Sequence, residues 1–372
     1  MLTPHRADLA GLADRDRLRR LVPRAGVDFA SNDYLALASS DRLRDAVAAA
    51  LARGVAIGSG GSRLLRGNDP EHAALEAEAA RFFGAETALF LSSGYAANLA
   101  LFSALPRRGD LVVYDALIHA SAHDGMRLGR AECEPAPHND AGAFDDAIIR
   151  WRRSGGTGRV WIAVESLYGM DGDRAPLADL AEIAGRHEAF LVIDEAHATG
   201  VFGDAGRGLA GALHGREAVV TLHTCGKALG AEGALLCGPA VIRDVLVNRA
   251  RAFIFSTAPS PLMASAVRES LRCLADEPER RARLWRRVAT AERMLAPCGV
   301  AATGSQILPL VIGEDAATMR VAASLQRAGF DVRGIRPPTV PAGTARLRLS
   351  LTLNASEAEI EALADAMRTA LR

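Results

Sequence analysis

The chain has 372 residues, of which 49% are apolar and 24% are charged, and its formal net charge is zero. This is the composition of an ordinary globular protein with room for two or three folding units. The balanced charge argues against nucleic-acid binding as the main function, because phosphate binding requires a basic excess.

Five cysteines are scattered along the chain without a Cys-x-x-Cys spacing. This pattern argues against a disulfide framework or a zinc site, and we expect a cytoplasmic protein without a metal ion. The first twenty residues are charged throughout and lack the apolar core of a signal peptide. No run of 18 apolar residues occurs, so no membrane span is expected.

The apolar pattern predicts a polar helix at the N-terminus, a short strand and turn, and a second helix, at 4–22, 27–35 and 41–53. Short apolar strands bounded by glycine then alternate with helices. The predicted strands are 87–91, 111–114, 160–164, 190–194, 218–223 and 233–237, and the predicted helices are 72–84, 95–105, 120–128, 143–153 and 177–187. This alternation predicts an α/β fold with a mostly parallel central sheet and helices on both faces.

The pattern changes near residue 260. A long helical stretch over 262–297 is followed by strands near 307–312 and 346–351 and helices at 315–328 and 356–371. This predicts a smaller α+β domain at the C-terminus. The predicted division is an N-terminal helix and short strand segment at 1–44, a large α/β domain at 45–265 and a small α+β domain at 266–372.

Lys227 is the only lysine of the chain, although arginines are abundant. A lysine amine can lose its proton and form a Schiff base, whereas arginine stays charged and is a poor nucleophile. The alternative interpretation is an ordinary surface lysine.

Three polar features lie at the carboxyl ends of predicted strands. They are Ser93-Gly94-Tyr95 after strand 87–91, Asp194 at the end of strand 190–194, and Thr224 to Lys227 after strand 218–223. Ligands of open parallel sheets bind at this edge. A helix N-terminus for a phosphate, a partly buried carboxylate and a reactive lysine together predict a site for pyridoxal 5'-phosphate. Taken alone, Ser93-Gly94 is equally compatible with simple helix capping.

Asp194-Glu195-Ala196-His197 also matches the DEAH form of a Walker B strand, which would indicate a nucleotide-driven motor. That function requires a P-loop of the form GxxxxGK[ST]. Lys227 is followed by alanine, and Thr221 stands where the first glycine of the loop would be required. The sequence therefore argues against a motor.

The stretches Asp194 to Gly200, Thr224 to Lys227 and Ser31 to Leu35 resemble the α-oxoamine synthase family. Members are fold-type I pyridoxal-phosphate enzymes that condense an amino acid with an acyl thioester and release CO2. The stretch from Ile335 to Arg348 resembles the branch that leads to biotin. The resemblance extends from about Arg19 to the C-terminal helix.

This resemblance implies a cytoplasmic acyltransferase that condenses L-alanine with a pimeloyl thioester, carried by coenzyme A or by an acyl carrier protein. It also implies a homodimer with a shared active site. The nearest alternative is another member of the family, such as glycine C-acetyltransferase. A non-catalytic pyridoxal-phosphate module is a more distant one, and the absence of an appended DNA-binding segment argues against it.

The resemblance also implies roles for individual residues. Lys227 would form the Schiff base, Asp194 would pair with the pyridine nitrogen, His197 would bind near the phenolic oxygen, and His119 would stack on the ring and help polarise the acyl carbonyl. Gly94, Tyr95 and Thr224 would hold the phosphate, and Ser256 and Thr257 would reach the phosphate in the partner subunit. Arg348 would bind the substrate carboxylate, with Arg19, Asn32, His119 and Thr339 as further substrate contacts.

Some of these assignments have alternatives. Arg346 shares a strand face with Arg348 and is its rival. Arg19 is equally compatible with a solvated helix face, and Ser256 and Thr257 with the start of the next segment. Gly169 stands where the family usually has a serine, so a side-chain contact to the cofactor is missing there.

Overall fold

The computed structural model describes residues 1–372 and divides into two compact units. The large unit contains Leu35–Tyr168 and Arg174–Arg281, and the small unit contains Met1–Tyr34, Gly169–Asp173 and Ala282–Arg372. The predicted division into 1–44, 45–265 and 266–372 stays a prediction, because compactness does not measure which segments fold alone.

The elements follow in chain order. The strands are β1 Val27–Asp28, β2 Thr87–Leu91, β3 Leu111–Asp115, β4 Glu132–Ala136, β5 Val160–Glu165, β6 Phe190–Asp194, β7 Val219–Thr224, β8 Ala234–Gly238, β9 Ile307–Gly313, β10 Phe330–Asp331, β11 Arg333–Ile335 and β12 Ala345–Ser350. The helices are α1 Thr3–Asp14, α2 Asp41–Ala52, α3 Pro70–Phe83, α4 Gly94–Ala104, α5 Ala120–Leu128, α6 Ala141–Arg153, α7 Leu177–Arg186, α8 Ala240–Arg249, α9 Arg251–Ile254, α10 Pro261–Asp276, α11 Pro278–Leu295, α12 Asp315–Arg327 and α13 Glu357–Ala370.

The large unit is built on a seven-stranded sheet with the order β2-β8-β7-β6-β5-β3-β4. Adjacent strands pair in parallel from the edge strand β4 through β3, β5 and β6 to β7. Strand β8 is antiparallel to both of its neighbours, β7 and β2. The predicted mostly parallel sheet is therefore confirmed. Asp194 pairs in register with Glu165 and Leu222, so it lies at the carboxyl edge of the parallel strands.

Successive residues of the central strands pack against opposite layers of helices, because side chains alternate across a sheet. Val112, Val192 and Leu222 belong to one core with residues of α4, α5 and α8. Val113 and Ile193 belong to the other core with residues of α6 and α7. Burial on both faces explains why these strands are continuous apolar runs in the sequence.

Two predicted helices have different limits. The N-terminal helix ends at Asp14 and does not continue to residue 22, because Asp16 adopts a left-handed φ of 54°. The stretch predicted as one helix over 262–297 is two helices. Pro278 has no backbone N–H, and the preceding Glu277 leaves the helical conformation.

The sequence patterns missed the strands β4, β10 and β11 and the two helices α8 and α9. Strand β4 contains Pro135 and only one of its five residues is buried. It lies at the edge of the sheet, where a missing N–H is tolerated. An edge strand with one exposed side lacks the apolar run that revealed the central strands.

The small unit contains an antiparallel sheet with the order β11-β12-β9 and a short parallel pair, β1 with β10. Every residue of β12 is buried, including Arg346 and Arg348. Across the chain, no helix combines the length and the apolar character that a membrane span needs.

Candidate active site

Asp194 ends β6 and is buried with 6% of its surface exposed. Its carboxylate accepts hydrogen bonds from the Asn98 side-chain amide at 2.9 Å and from the backbone N–H of Ala196 at 2.9 Å. A buried carboxylate requires such donors or a cation, because its ionised form is otherwise too costly. These two donors hold the carboxylate in a fixed orientation at the sheet edge.

Lys227 lies in the tight turn between β7 and β8, and it is half-buried. Its Nζ is 2.8 Å from Nε2 of His197, which lies in the turn after β6. The turn is closed by the backbone N–H of Gly230, which donates to the Lys227 carbonyl. Gly230 is required there, because a Cβ at this position would lie 2.4 Å from the backbone nitrogen of Ala38.

His119 precedes α5 and acts as its N-terminal cap. Its Nδ1 accepts the backbone N–H of Ser121 at 3.2 Å and lies 2.7 Å from the Ser121 hydroxyl. The residue keeps solvent-exposed surface, yet neighbouring protein removes enough water to lower the pKa of the imidazole. The charge of Lys227 lowers this pKa further, and that of Asp194 opposes the effect. A neutral imidazole with an accessible face is thus fixed close to both charges.

Helix α4 begins beside Thr224. Ser93 caps the helix by accepting the backbone N–H of Ala96 at 3.1 Å. A Cβ on Gly94 would lie 2.6 Å from Cγ2 of Thr224, so only glycine lets the helix start approach this side chain without displacement. Backbone N–H groups at a helix start and a threonine hydroxyl together suit a phosphate.

The side chain of Tyr95 is engaged in a contact other than phosphate binding. Its ring is exposed and its hydroxyl donates to Asp124, which raises the pKa of the tyrosine. A phosphate contact from Tyr95 would therefore use its backbone N–H. Ser256 and Thr257 follow α9 at the surface of the large unit, where the Ser256 hydroxyl donates to the Thr257 carbonyl at 3.4 Å.

In the small unit, the guanidinium of Arg348 is buried among neutral oxygens. It donates to the Gly169 carbonyl, to the Ser350 hydroxyl at 2.7 Å and to the Asn32 side-chain oxygen at 2.9 Å. The Tyr34 hydroxyl, 3.4 Å away, also donates to Asn32 at 3.1 Å. Two residues predicted to bind substrate, Arg348 and Asn32, are therefore in contact.

Arg346 differs from Arg348 in its partner. It forms an ion pair with the carboxylate of Asp171 and also donates to the Thr344 carbonyl at 3.0 Å. The charge of Arg346 is thus compensated within the protein, whereas the partners of Arg348 carry no charge.

A third contact joins the remaining predicted substrate residues of the small unit. The guanidinium of Arg19 lies 3.4 Å from the Thr339 hydroxyl, and both residues are exposed. The segment around Arg19 is held by Arg17, which pairs with Asp315 at 2.6 Å. Arg19 follows the end of α1 and does not lie on a helix face.

Three buried polar residues near the site were not identified from the sequence. Asn98 and Ser121 lie between Asp194 and His119, and Glu195 follows Asp194 directly. Burial raises the pKa of Glu195 to about 7, although its carboxylate accepts the backbone N–H groups of Leu209 and Ala210. Asn98 was detectable as the one amide within the apolar helix α4.

Comparison with known proteins places this chain in a family. Residues 24–367 match the family model of class I and II aminotransferases. The chain is 44% identical over 351 residues to an 8-amino-7-oxononanoate synthase from Anaeromyxobacter dehalogenans, covering 94% of this chain and 87% of the relative.

Comparison with solved structures supports the same family. The fold is similar to a serine palmitoyltransferase from Sphingomonas wittichii, with a TM-score of 0.90 and 27% identity over 99% of this chain and 96% of the other. It is also similar to an 8-amino-7-oxononanoate synthase from Francisella tularensis, with a TM-score of 0.78 and 27% identity over 93% and 98% of the two chains.

The chain belongs to the class I and II aminotransferase family and, within it, to the 8-amino-7-oxononanoate synthases. The predicted fold class, the family and the cofactor, pyridoxal 5'-phosphate, are thereby confirmed. The residues present fit this cofactor. Lys227, the buried Asp194 and the glycine-lined start of α4 beside Thr224 supply an amine, a carboxylate and a phosphate cradle.

Proposed function

We propose that this enzyme condenses L-alanine with a pimeloyl thioester to give 8-amino-7-oxononanoate, CO2 and the free thiol, a step of biotin synthesis. It is a pyridoxal-phosphate-dependent acyltransferase, as its relatives' name indicates. The observation that carries the proposal is the placement of Lys227, Asp194 and His119 at one sheet edge, where Lys227 contacts His197 and Asp194 is connected to His119 by hydrogen bonds.

Lys227 would hold the cofactor covalently and, once released, would move the proton at Cα of alanine. Asp194 would keep the cofactor's pyridine nitrogen protonated, His197 would bind near its phenolic oxygen, and Gly94, Tyr95 and Thr224 would hold its phosphate. When bound, pyridoxal phosphate supplies an electron sink for a carbanion. The 2.8 Å contact between Lys227 and His197 supports a fixed position for the amine.

Arg348 would bind the carboxylate of alanine. Its hydrogen-bond partners are neutral, whereas Arg346 is already paired with Asp171, and this difference favours Arg348 as the residue that receives an anion. Asn32 would orient Arg348. Arg19 and Thr339, which contact each other, would bind the acyl donor.

His119 would donate a hydrogen bond to the acyl carbonyl as negative charge develops on its oxygen. Its lowered pKa supports this role, because the imidazole is then neutral at physiological pH and retains one N–H donor. The neutral imidazole of His119 would thus stabilise the acyl carbonyl oxygen through a hydrogen bond and keep its own proton.

A substrate panel tests the proposal. Alanine, glycine and serine are each combined with pimeloyl, acetyl and palmitoyl thioesters, on coenzyme A and on acyl carrier protein, and the products are identified by mass spectrometry. We expect the alanine and pimeloyl pair to have the highest kcat/KM. A preference for glycine with the acetyl donor would assign the alternative glycine C-acetyltransferase reaction, and no product from any pair would indicate a non-catalytic module.

We also propose that the active enzyme is a homodimer in the cytoplasm. The five cysteines are free, as is usual in a reducing compartment. The exposed apolar side chains of the large unit include Ile57, Leu65 and Phe255, on segments 57–65 and 255–260, and the backbone N–H of Ala258 donates to the Gly61 carbonyl at 2.9 Å. The segments that carry them are joined by hydrogen bonds, including Ser260 to the Ile57 carbonyl at 2.6 Å. A second copy would cover this surface.

In such a dimer, Ser256 and Thr257 would reach the cofactor phosphate of the partner subunit. Sedimentation equilibrium tests the assembly. Leu65→Glu with Phe255→Glu should convert a dimer to a monomer, and Leu128→Glu, an exposed leucine at the end of α5, should not. A wild-type monomer would contradict the proposal.

A further inference from the structure

Two buried side chains connect Asp194 to His119 in the large unit. The Nδ2 atom of Asn98 lies 2.9 Å from Oδ2 of Asp194 and 3.0 Å from the Ser121 hydroxyl. The Ser121 hydroxyl in turn lies 2.7 Å from Nδ1 of His119. Asn98 and Ser121 are 3% and 0% exposed, so water does not compete for these contacts.

The direction of each hydrogen bond follows from the Asp194 end. An ionised carboxylate only accepts, so the amide of Asn98 must present its NH2 group to Asp194. The second hydrogen of the same NH2 group is then donated to the Ser121 oxygen. The Ser121 hydroxyl has one hydrogen of its own, and it is directed at His119.

The His119 end gives the same direction independently. The backbone N–H of Ser121 lies 3.2 Å from Nδ1 of His119, and a backbone N–H can only donate. Nδ1 must therefore carry a lone pair, and the proton of the neutral imidazole resides on Nε2. Protonation of Nδ1 would oppose two donors at once, the Ser121 N–H and the Ser121 hydroxyl.

We propose that Asn98 and Ser121 are positioning residues that transmit the ionised state of Asp194 to His119 and keep the His119 proton on Nε2. The inference rests on the proposed function in one respect, namely that the Nε2 proton is the donor to the acyl carbonyl. While Asp194 is ionised for the cofactor, the hydrogen-bond chain holds His119 in the tautomer that this donation requires.

Other charged and titratable groups also face His119, and their effects on its pKa are distinct from the effect of the hydrogen-bond chain through Asn98 and Ser121. Asp194 of β6 favours the protonated imidazole, whereas Lys227 of the turn after β7 and His123 of α5 disfavour it. Replacing Asn98 also removes a hydrogen bond from Asp194, whereas replacing Ser121 leaves that bond in place. Ser121→Ala therefore reports the hydrogen-bond chain without a change at Asp194, and Asn98→Ala is interpreted by comparison with it.

Histidine NMR on the cofactor-free protein tests the proposal without any catalytic measurement. The protein is labelled with 15N-histidine, and the His119 signals are assigned from their loss in His119→Gln. The ring nitrogen shifts give the tautomer and the pKa between about pH 5 and pH 8. We expect the Nε2–H tautomer in the wild-type protein.

Asn98→Ala should raise the pKa of His119 by about half a unit or more, because the Ser121 hydroxyl is then free to accept a proton from Nδ1. Ser121→Ala should shift the pKa in the same direction. The double variant should shift it no further than the larger single effect, as expected for two members of one chain. With the loaded enzyme, the acidic limb of kcat/KM should move by the same amount.

Ser103→Ala is the matched control. This half-buried serine lies on α4 with Asn98 and donates to the Leu99 carbonyl at 2.5 Å. It is not a member of the hydrogen-bond chain. Its replacement should leave the pKa of His119 unchanged. Asn98→Ser, which is too short to reach both partners, replaces Asn98→Ala if the alanine variant does not fold.

An unchanged His119 pKa in a folded Asn98 variant would overturn the proposal, and so would a wild-type Nδ1–H tautomer or an equal shift in Ser103→Ala. Failure of the substrate panel would leave these NMR results intact. The two proposals are therefore separable.

Discussion

The large and small units each hold a cluster of predicted site residues, and the two clusters differ in how they treat charge. In the large unit, the charged or titratable groups are tied to one another through side chains, as in the contacts of Asn98 with Asp194 and of Lys227 with His197. In the small unit, Arg348 is surrounded by a carbonyl, a hydroxyl and an amide oxygen.

We propose that this difference separates a cluster that sets protonation from a cluster that binds the carboxylate of a substrate. Interconnected titratable groups determine which atoms carry protons before a substrate arrives. A buried cation with neutral partners is oriented but not neutralised, so an incoming carboxylate gains a strong, charge-assisted interaction. Substitutions in the two clusters should therefore have different kinetic signatures.

The largest effect should come from Lys227→Ala, which removes the amine that we propose to be reactive. We expect kcat to fall by about 10⁴-fold or more, because both covalent attachment and proton transfer are lost. The circular dichroism spectrum should be unchanged. Borohydride reduction followed by mass spectrometry should show covalent cofactor on the wild-type chain only, and full activity of the variant would contradict the role of Lys227.

A second effect concerns the pH dependence of stability through Glu195. Its folded pKa of about 7 lies above the usual value of 4.5, so the folded state binds more protons between these pH values. The contribution of Glu195 to the free energy of unfolding should therefore fall as pH rises from about 4.5 to about 7, by up to ~3 kcal/mol.

Urea denaturation of the wild type and of Glu195→Gln at several pH values measures this contribution as the difference between the two proteins. The glutamine variant lacks the titration and should gain stability relative to the wild type as pH rises. A pH-independent difference would show that Glu195 does not titrate in this range.

In the small unit, Arg348→Lys should raise KM for alanine by about 10- to 100-fold, in line with the loss of ~1.5–3 kcal/mol from a charge-assisted hydrogen bond. The matched control is Arg346→Lys, which keeps an ammonium beside Asp171 and should change KM little. Steady-state kinetics with varied alanine distinguishes them. A larger KM effect in Arg346→Lys would assign the carboxylate to Arg346.

The smallest effect should follow Gly94→Ala. The new Cβ would lie 2.6 Å from Cγ2 of Thr224, and such overpacking costs about 1–2 kcal/mol. Thr224→Ser removes that methyl group and keeps the hydroxyl, so the double variant should recover the lost stability. Thermal unfolding of the cofactor-free proteins measures the recovery, and the absence of any loss in Gly94→Ala would show that the neighbouring segments move apart easily.

The sequence predicted the central strands and the residues at their carboxyl ends, because burial on both faces leaves an unbroken apolar run that Asp194 terminates. Pro278 is a helix-breaking residue, but the Arg-rich helical periodicity on both sides of it led to the prediction of one helix over 262–297. Strand β4, with one exposed side, carried no comparable pattern.

The partners of site residues could not be read from the sequence. Asn98 and Asp194 are 96 positions apart, and only folding brings the amide to the carboxylate. Arg346 and Arg348 have the same side chain on the same strand face, and their difference arises from Asp171 and Gly169, far away along the chain. Motif spacing therefore identifies candidates, and the fold assigns their protonation and charge.

The position of β2 in the sheet has a consequence for synthesis of the protein. Its sole neighbour is β8, whose last residue follows Leu91 by well over a hundred positions. While the ribosome makes the intervening segments, β2 has no strand to pair with, and long-range pairing of this kind forms slowly. Gly94 follows β2 after Ser92 and Ser93, and Thr224 is translated shortly before β8. The phosphate cradle proposed here would thus be completed late, and a nascent chain would have to present most of the large unit before it could take up its cofactor.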